Sequence, residues 1–171
     1  MTPEEYDLIF SLVVVPGRSY RGDPDAVLRQ FDTHDGRGLG LRLLRAAIDA
    51  NSADDVEASL IVCDTFGLDR EHVEPLSQLV HADWHLQHEN VVTLLGRLRC
   101  RDAVEALYHA ATWVPDYLDY DETRALAVKA LWALGDISDP VARERLRQLS
   151  RSDNEIVRAE AEAQLSRQPG P

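Results

Sequence analysis

Three similar segments recur along this chain, and each of them opens a helical stretch of apolar residues. Val73-Glu74-Pro75-Leu76 and Val104-Glu105-Ala106-Leu107 both follow a polar break, and Leu146 takes the same position after Asp139-Pro140. The anchor leucines Leu76, Leu107 and Leu146 are therefore spaced by 31 and then 39 residues. A period of about 30–40 residues with two helices per unit predicts an α-solenoid, because one helix pair cannot cover its own apolar faces and neighbouring pairs must stack.

Helix-start signals and apolar residues at helical spacing cover most of the sequence. Thr2-Pro3-Glu4-Glu5 and Ser152-Asp153-Asn154-Glu155 have the form of capping boxes, and Gly67 follows the end of another helical stretch. No run of β-branched or aromatic residues alternates with period two for long, and Leu12–Val15 is the one segment where the pattern allows a short strand. The sequence therefore predicts an all-α protein with at least eight helices and no extended sheet.

The C-terminal part of the chain contains a helix end, a Gly-Asp turn and an Asp-Pro restart at Ala130–Pro140, followed by a helix opening at Ser152–Arg158. With these residues the chain resembles the HEAT-repeat family, in the short-repeat form seen in many bacterial proteins. The resemblance is strong over 122–167, fair over 69–113 and weak over 36–67. It implies a right-handed α-α superhelix, a short HEAT-like solenoid of antiparallel helix pairs, and usually a binding role.

The repeat pattern divides the chain into one HEAT-like domain, residues 1–171. Residues 1–35 fit no repeat and are expected to cover the open end of the stack as an N-terminal cap. The helix-pair repeats that we predict are 36–68, 69–101, 102–138 and 139–168. Two junctions depart from the family pattern, since Arg99–Asp102 is shortened and Trp113–Asp121 is lengthened.

The charge balance is strongly acidic, with 18 Lys and Arg against 30 Asp and Glu and a net charge of −12. A nucleic-acid partner is therefore not expected, because such proteins usually present a basic face. Two cysteines, Cys63 and Cys100, exclude a disulfide scaffold and a cysteine zinc cluster, and their apolar surroundings favour small buried side chains over catalytic thiols. The apolar run Leu8–Val15 is too short to span a bilayer, so we expect a cytoplasmic protein without a membrane partner.

The longer spacing before Leu146 places about eight extra residues in the third repeat, and they fall in Trp113–Glu122. This segment combines aromatic side chains, which are common interface anchors, with acids that could steer a basic partner. The alternative is that Trp113 and Tyr117 pack into the neighbouring helix pair and that the acids are only solvated. The candidate partner-binding residues are Trp113, Asp116, Tyr117, Asp119, Tyr120, Asp121 and Glu122.

The segment His81–Glu89 holds three histidines, His81, His85 and His88. On a continuous helix they would share one face and could bind zinc or iron, but the repeat is expected to change direction here, which separates them. Since no cysteine or carboxylate set completes a site, we predict no metal, no other cofactor, and a turn with ordinary surface histidines.

The sequence contains neither a phosphate-binding glycine loop nor a nucleophile elbow. The leading hypothesis is a non-enzymatic protein-binding module, specifically an inhibitor or immunity protein that neutralises a basic partner enzyme or toxin. This rests on the resemblance, because bacterial immunity proteins are sometimes HEAT-like, and not on an identified site. The alternatives are a small metal-dependent or lyase-type HEAT-like enzyme using His81–Glu89, and a subunit that serves only as a scaffold.

Overall fold

The computed structural model describes residues 1–13 and 22–167, and within them the chain forms α-helices and no strand. The all-α prediction is confirmed. In the segment Leu12–Val15, Leu12 lies in the turn that ends the first helix, and Val14 and Val15 lie outside the described residues. The helices are α1 (Pro3–Ser11), α2 (Pro24–Gln30), α3 (Gly36–Asp49), α4 (Ala53–Phe66), α5 (Val73–Val80), α6 (His88–Arg97), α7 (Val104–Thr112), α8 (Ala125–Asp136), α9 (Pro140–Leu149) and α10 (Glu155–Arg167). Single-turn 3-10 helices lie at Arg70–His72, Arg101–Ala103 and Asp116–Leu118.

Side-chain caps fix where several of these helices begin. Thr2 and Glu5 form the predicted capping box, with Glu5 N–H donating to Thr2 Oγ1 at 3.3 Å and Thr2 N–H to Glu5 Oε2 at 2.7 Å. The capping box predicted at Ser152–Glu155 is wrong. Asn154 caps α10 instead, because its Oδ1 accepts the Val157 N–H at 3.1 Å, while the Ser152 hydroxyl accepts the Asn154 N–H.

The helices gather into two compact units, Met1–Glu71 and His72–Pro171. In the first unit α3 packs against α4, and α1 packs against both α2 and α4. Ile9, Val27 and Leu39 are fully buried at the centre of this unit, together with Ala58 and Val62 of α4.

In the second unit the helices form two layers. We call α5, α7 and α9 the first layer, since α7 packs against both α5 and α9. We call α6, α8 and α10 the second layer, since α8 packs against both α6 and α10. Each first-layer helix also packs against the second-layer helix that follows it, which is the repeat-like stacking of an α-solenoid.

The anchor leucines explain this stacking. Leu76, Leu107 and Leu146 lie on α5, α7 and α9, and all three are fully buried. A 3-10 turn precedes α5 and another precedes α7, so the two matching sequence segments adopt the same local structure. The ranges 36–68, 69–101, 102–138 and 139–168 each hold two α-helices. Their assignment as repeats, and the right-handed sense of the superhelix, remain predictions.

Candidate functional site

The extra residues of the third repeat, Trp113–Glu122, connect α7 to α8, and we call this segment the insertion. Its middle is a single 3-10 turn, Asp116–Leu118, whose leucine is buried. Pro115 is also buried, and Trp113 and Tyr117 are half-buried. Part of the insertion therefore packs against the rest of the second unit, and its other residues face solvent.

Trp113 and Tyr117 attach the insertion to histidines of the helices beneath it. The Trp113 ring stacks on His109 of α7 with centroids 5.2 Å apart, and its distance to the His88 ring is 5.1 Å. The Tyr117 hydroxyl lies 3.1 Å from His88 Nδ1. Such contacts position a loop, because aromatic rings bury large area and have few rotatable bonds. These two predicted residues thus make intramolecular contacts of the kind that the alternative reading describes.

Asp121 holds the end of the insertion. Its Oδ2 accepts the N–H of Ala125 at 2.7 Å, and its Oδ1 accepts the N–H of Thr123 at 3.0 Å. Arg124, just before α8, lies in the left-handed region with φ 54°, so this carboxylate caps a helix whose N-cap residue makes no side-chain cap. Hydrogen bonds from the Thr123 side chain and from the Ala125 backbone lower the pKa of Asp121.

The remaining candidate residues of the insertion face solvent. Tyr120 is 81% exposed, more than any other large hydrophobic side chain of the described residues. Asp116, Asp119 and Glu122 are exposed as well. The structure therefore separates the predicted set into three residues with internal contacts and four that are presented on the surface.

The prediction of ordinary surface histidines is wrong for His85 and His88, which are buried, whereas His81 is exposed. His85 lies in the connection between α5 and α6, His88 is the first residue of α6, and the centroids of their rings are 4.2 Å apart. Burial became possible because each imidazole replaces its water contacts with protein partners. His85 Nε2 donates to the Leu79 carbonyl at 2.8 Å, and its Nδ1 accepts the Gln87 N–H at 3.0 Å.

His88 is satisfied in the same way. Its Nε2 donates to the Ala82 carbonyl at 2.7 Å, which leaves Nδ1 to accept the Tyr117 O–H. Burial lowers the pKa of His88 to about 4, with a further contribution from His85, and burial likewise lowers the pKa of His85. Both rings are therefore neutral at pH 7, and all four of their nitrogens have hydrogen-bond partners.

Across residues 1–13 and 22–167, no group of three or more His, Cys, Asp or Glu side chains could hold a metal ion. Cys63 is buried on α4, and this burial raises the pKa of its thiol to about 12, so the thiolate is disfavoured at neutral pH.

One exposed aromatic residue was not singled out by the sequence analysis. Trp132 lies on α8 and is 54% exposed. The buried residues of α8 include Leu126, Ala130, Leu131 and Leu134, which follow helical spacing, and Trp132 falls outside that stripe. A helical-wheel reading of α8 would have placed this indole on the polar face and drawn attention to it.

Comparison with known families agrees with the C-terminal repeat. Residues 126–152 match the family model described as PBS lyase HEAT-like repeat. Residues 126–152 are similar to one HEAT-like repeat. The match runs from α8 through α9 to the turn before α10, and it lies inside the range where the sequence resemblance is strongest. No curated protein and no solved structure matches the chain. None of the helices among the described residues has the length and apolar character that crossing a membrane requires.

Proposed function

We propose that this HEAT-like repeat protein is a non-enzymatic protein-binding module whose partner presents a basic surface. The contact residues in this proposal are Asp116, Asp119, Tyr120 and Glu122 of the insertion. The observation that carries it is the exposure of Tyr120. This large aromatic side chain has Asp119 and Asp121 as its neighbours in sequence, and it lies on a segment whose other residues pack against the chain.

Fixation of the insertion favours binding. Trp113 and Tyr117 pack on histidines and Asp121 caps the start of α8, so the backbone between them is already ordered. A preordered loop loses less conformational entropy when a partner binds, and more of the contact energy appears as affinity. The internal contacts of the insertion and its exposed side chains therefore support the same proposal.

Charge supports the choice of a basic partner. The chain has a net charge of −12, and the exposed acids of the insertion add to this field locally. Such a field accelerates encounter with a basic surface, while a buried aromatic side chain slows dissociation. Within this proposal the partner is a basic enzyme or toxin, which the chain neutralises by covering its positively charged surface.

Affinity capture from a cell lysate of the source organism tests the proposal. The variant bait carries Asp116→Asn, Asp119→Asn, Tyr120→Ala and Glu122→Gln, and mass spectrometry compares its captured proteins with those of the unmodified chain. We expect a basic protein that the variant loses. A control bait with Glu57→Gln, Glu74→Gln and Glu162→Gln removes the same number of exposed carboxylates elsewhere.

The control bait should retain the partner. Capture of the same proteins by the insertion variant, or of acidic proteins alone, would contradict the proposal. The alternative of a metal-dependent or lyase-type enzyme at His81–Glu89 has no comparable observation in its favour, because the nitrogens of His85 and His88 are already hydrogen-bonded to the chain itself.

A further inference from the structure

A groove of about 430 Å³ lies between α6 and α8, the neighbouring helices of the second layer. The two helices approach closely along it, since a Cβ added at Gly96 would lie 2.7 Å from the Cβ of Ala133. Gly96 and Ala133 both line the groove, together with Val92. Small side chains at this contact leave room between the flanking longer ones, which form the walls.

Trp132 forms one wall of the groove and is held in a fixed orientation. Its Nε1–H donates to Glu160 Oε1 at 2.6 Å, and Glu160 in turn accepts from the Gln164 amide, also at 2.6 Å. The indole is nevertheless more than half exposed. An exposed tryptophan that is already oriented has the character of an interface hot spot, because its burial gains area at little entropic cost.

The lining of the groove holds more cations than carboxylates, whereas the chain as a whole is acidic. Its charged lining residues are Arg97, Arg99, Lys129 and Asp136, three cations against one carboxylate, in a chain whose net charge is −12. Lys129 Nζ lies 2.6 Å from Glu89 Oε2, and Arg99 lies 3.4 Å from Asp136. A lysine carries three N–H donors and an arginine five, so one carboxylate neighbour does not exhaust either group.

The excess of cations in the lining, with N–H donors left over on Arg99 and Lys129, favours an acidic occupant. A whole acidic domain would be repelled by the acidic body of the chain, whereas a short segment enters the groove within a Debye length of about 8–10 Å of the cations. The apolar character of the Trp132 ring requires a matching apolar or aromatic side chain on that segment. A nucleic acid shares the negative charge, but its extended phosphate backbone would meet the acidic surface outside the groove.

We propose that the groove between α6 and α8 binds a short acidic peptide segment of a partner protein. In this complex a large apolar side chain of the segment packs on Trp132, and its carboxylates contact Arg99 and Lys129. The inference rests on the proposed protein-binding role but uses none of the residues of the insertion.

Selection from a display library of short random peptides tests the inference without knowledge of the partner. The full chain is the target, and the Trp132→Ala variant serves for counter-selection. We expect the retained peptides to carry Asp or Glu on both sides of an aromatic or large aliphatic residue. Selection of Lys- and Arg-rich peptides, or the absence of any peptide that distinguishes the two targets, would overturn the proposal.

Titration of one selected peptide then assigns the contacts. Trp132→Ala should weaken binding roughly tenfold or more, as expected for a hot-spot tryptophan. Arg99→Gln combined with Lys129→Gln should weaken it several-fold and flatten its salt dependence. Arg147→Gln with Arg151→Gln, an equal loss of charge outside the groove lining, should have a much smaller effect. Circular dichroism of each variant confirms that the helices remain intact.

Two further measurements separate this inference from the function proposed for the insertion. The insertion variant with Asp116→Asn, Asp119→Asn, Tyr120→Ala and Glu122→Gln should bind the peptide at least as tightly as the unmodified chain, because it keeps the groove lining and loses three negative charges. If it does so while capturing the same lysate proteins as the unmodified chain, the insertion proposal fails and the groove stands. Tighter binding of a single-stranded oligonucleotide than of the peptide, with the same loss on Trp132→Ala, would replace the peptide by a nucleic acid.

Discussion

The His88 imidazole connects three parts of the chain: the turn after α5, the start of α6 and the insertion. It donates to the Ala82 carbonyl and accepts from Tyr117, and its ring also contacts Trp113. No pattern in the sequence reveals this role, because His88 and Tyr117 are 29 residues apart. The sequence predicts a change of direction within His81–Glu89, and α5 ends and α6 begins around this segment, but the burial of the His88 side chain depends on a tertiary contact.

Replacement of His88 by Ala should destabilise the protein by about 2–3 kcal/mol. The change leaves a carbonyl and a hydroxyl without their partner and opens a cavity beside His85. Urea unfolding followed by circular dichroism measures the loss. His81→Ala, at an exposed position of the same connection, should cost under about 0.5 kcal/mol, and equal losses for the two variants would contradict this reading.

The buried histidines also predict how stability depends on pH. The pKa of His88 falls from the ordinary 6.5 to about 4 on folding, and the pKa of His85 falls as well, so the unfolded chain binds protons first. The free energy of unfolding should therefore be at its full value above pH 6.5 and decrease as the pH falls toward 4. His109, whose pKa burial also lowers, contributes in the same window, whereas Asp121 acts mainly at its acid end because its pKa lies below the ordinary 3.8.

Chemical unfolding at a series of pH values checks the effect, and His88→Gln provides the comparison. The glutamine variant should start from lower stability and lose less of it between pH 6.5 and 4. An identical slope for both proteins would show that His88 does not cause the pH dependence.

At the level of helices, local sequence signals were largely sufficient. Thr2 and Gly67 mark real helix ends, and the anchor leucines identify the stacked layer of α5, α7 and α9. The sequence did not determine which residue caps α10, because the side chains of Ser152 and Asn154 can both accept hydrogen bonds and backbone geometry decides between them. No local sequence pattern predicts the contact of α6 with α8, because these helices are the second members of successive pairs and α7 separates them in sequence.

That contact yields a prediction at Gly96. In an ordinary helix position, Gly→Ala gains about 1 kcal/mol in helix propensity. Here the new methyl would meet Ala133 at 2.7 Å, so Gly96→Ala should give no gain, and Gly96→Val should cost about 1–3 kcal/mol. The double variant Gly96→Ala with Ala133→Gly should be more stable than the sum of its single changes implies. Simple additivity in urea unfolding would exclude the close contact.

At the scale of the whole molecule, this acidic chain has two proposed binding surfaces, the acidic insertion and the groove with its cation-rich lining. Glu57→Gln, Glu74→Gln and Glu162→Gln together make the net charge less negative by three without altering the insertion or the lining of the groove. This variant should bind an acidic peptide faster and a basic partner more slowly, because the long-range field acts on both. Stopped-flow association at low salt measures the rates.

Both differences in rate should shrink as salt screens the field, to near zero well above about 0.1 M. A change in the same direction for both ligands would contradict the assignment of opposite local charges. The net charge follows from composition, whereas the grouping of Arg97, Arg99 and Lys129 depends on the packing of α6 against α8.

Lys129 is the single lysine of the chain, and it lies in the groove. Any chemistry directed at a lysine side chain, whether enzymatic acylation, ubiquitin conjugation or coupling to an activated sensor surface, is therefore directed at the groove. A chain immobilised through its lysine would have a blocked groove and a free insertion. Attachment through an introduced surface cysteine, with the half-buried Cys100 replaced by Ser, would leave both surfaces accessible, so the choice of linkage decides which binding event an assay can detect.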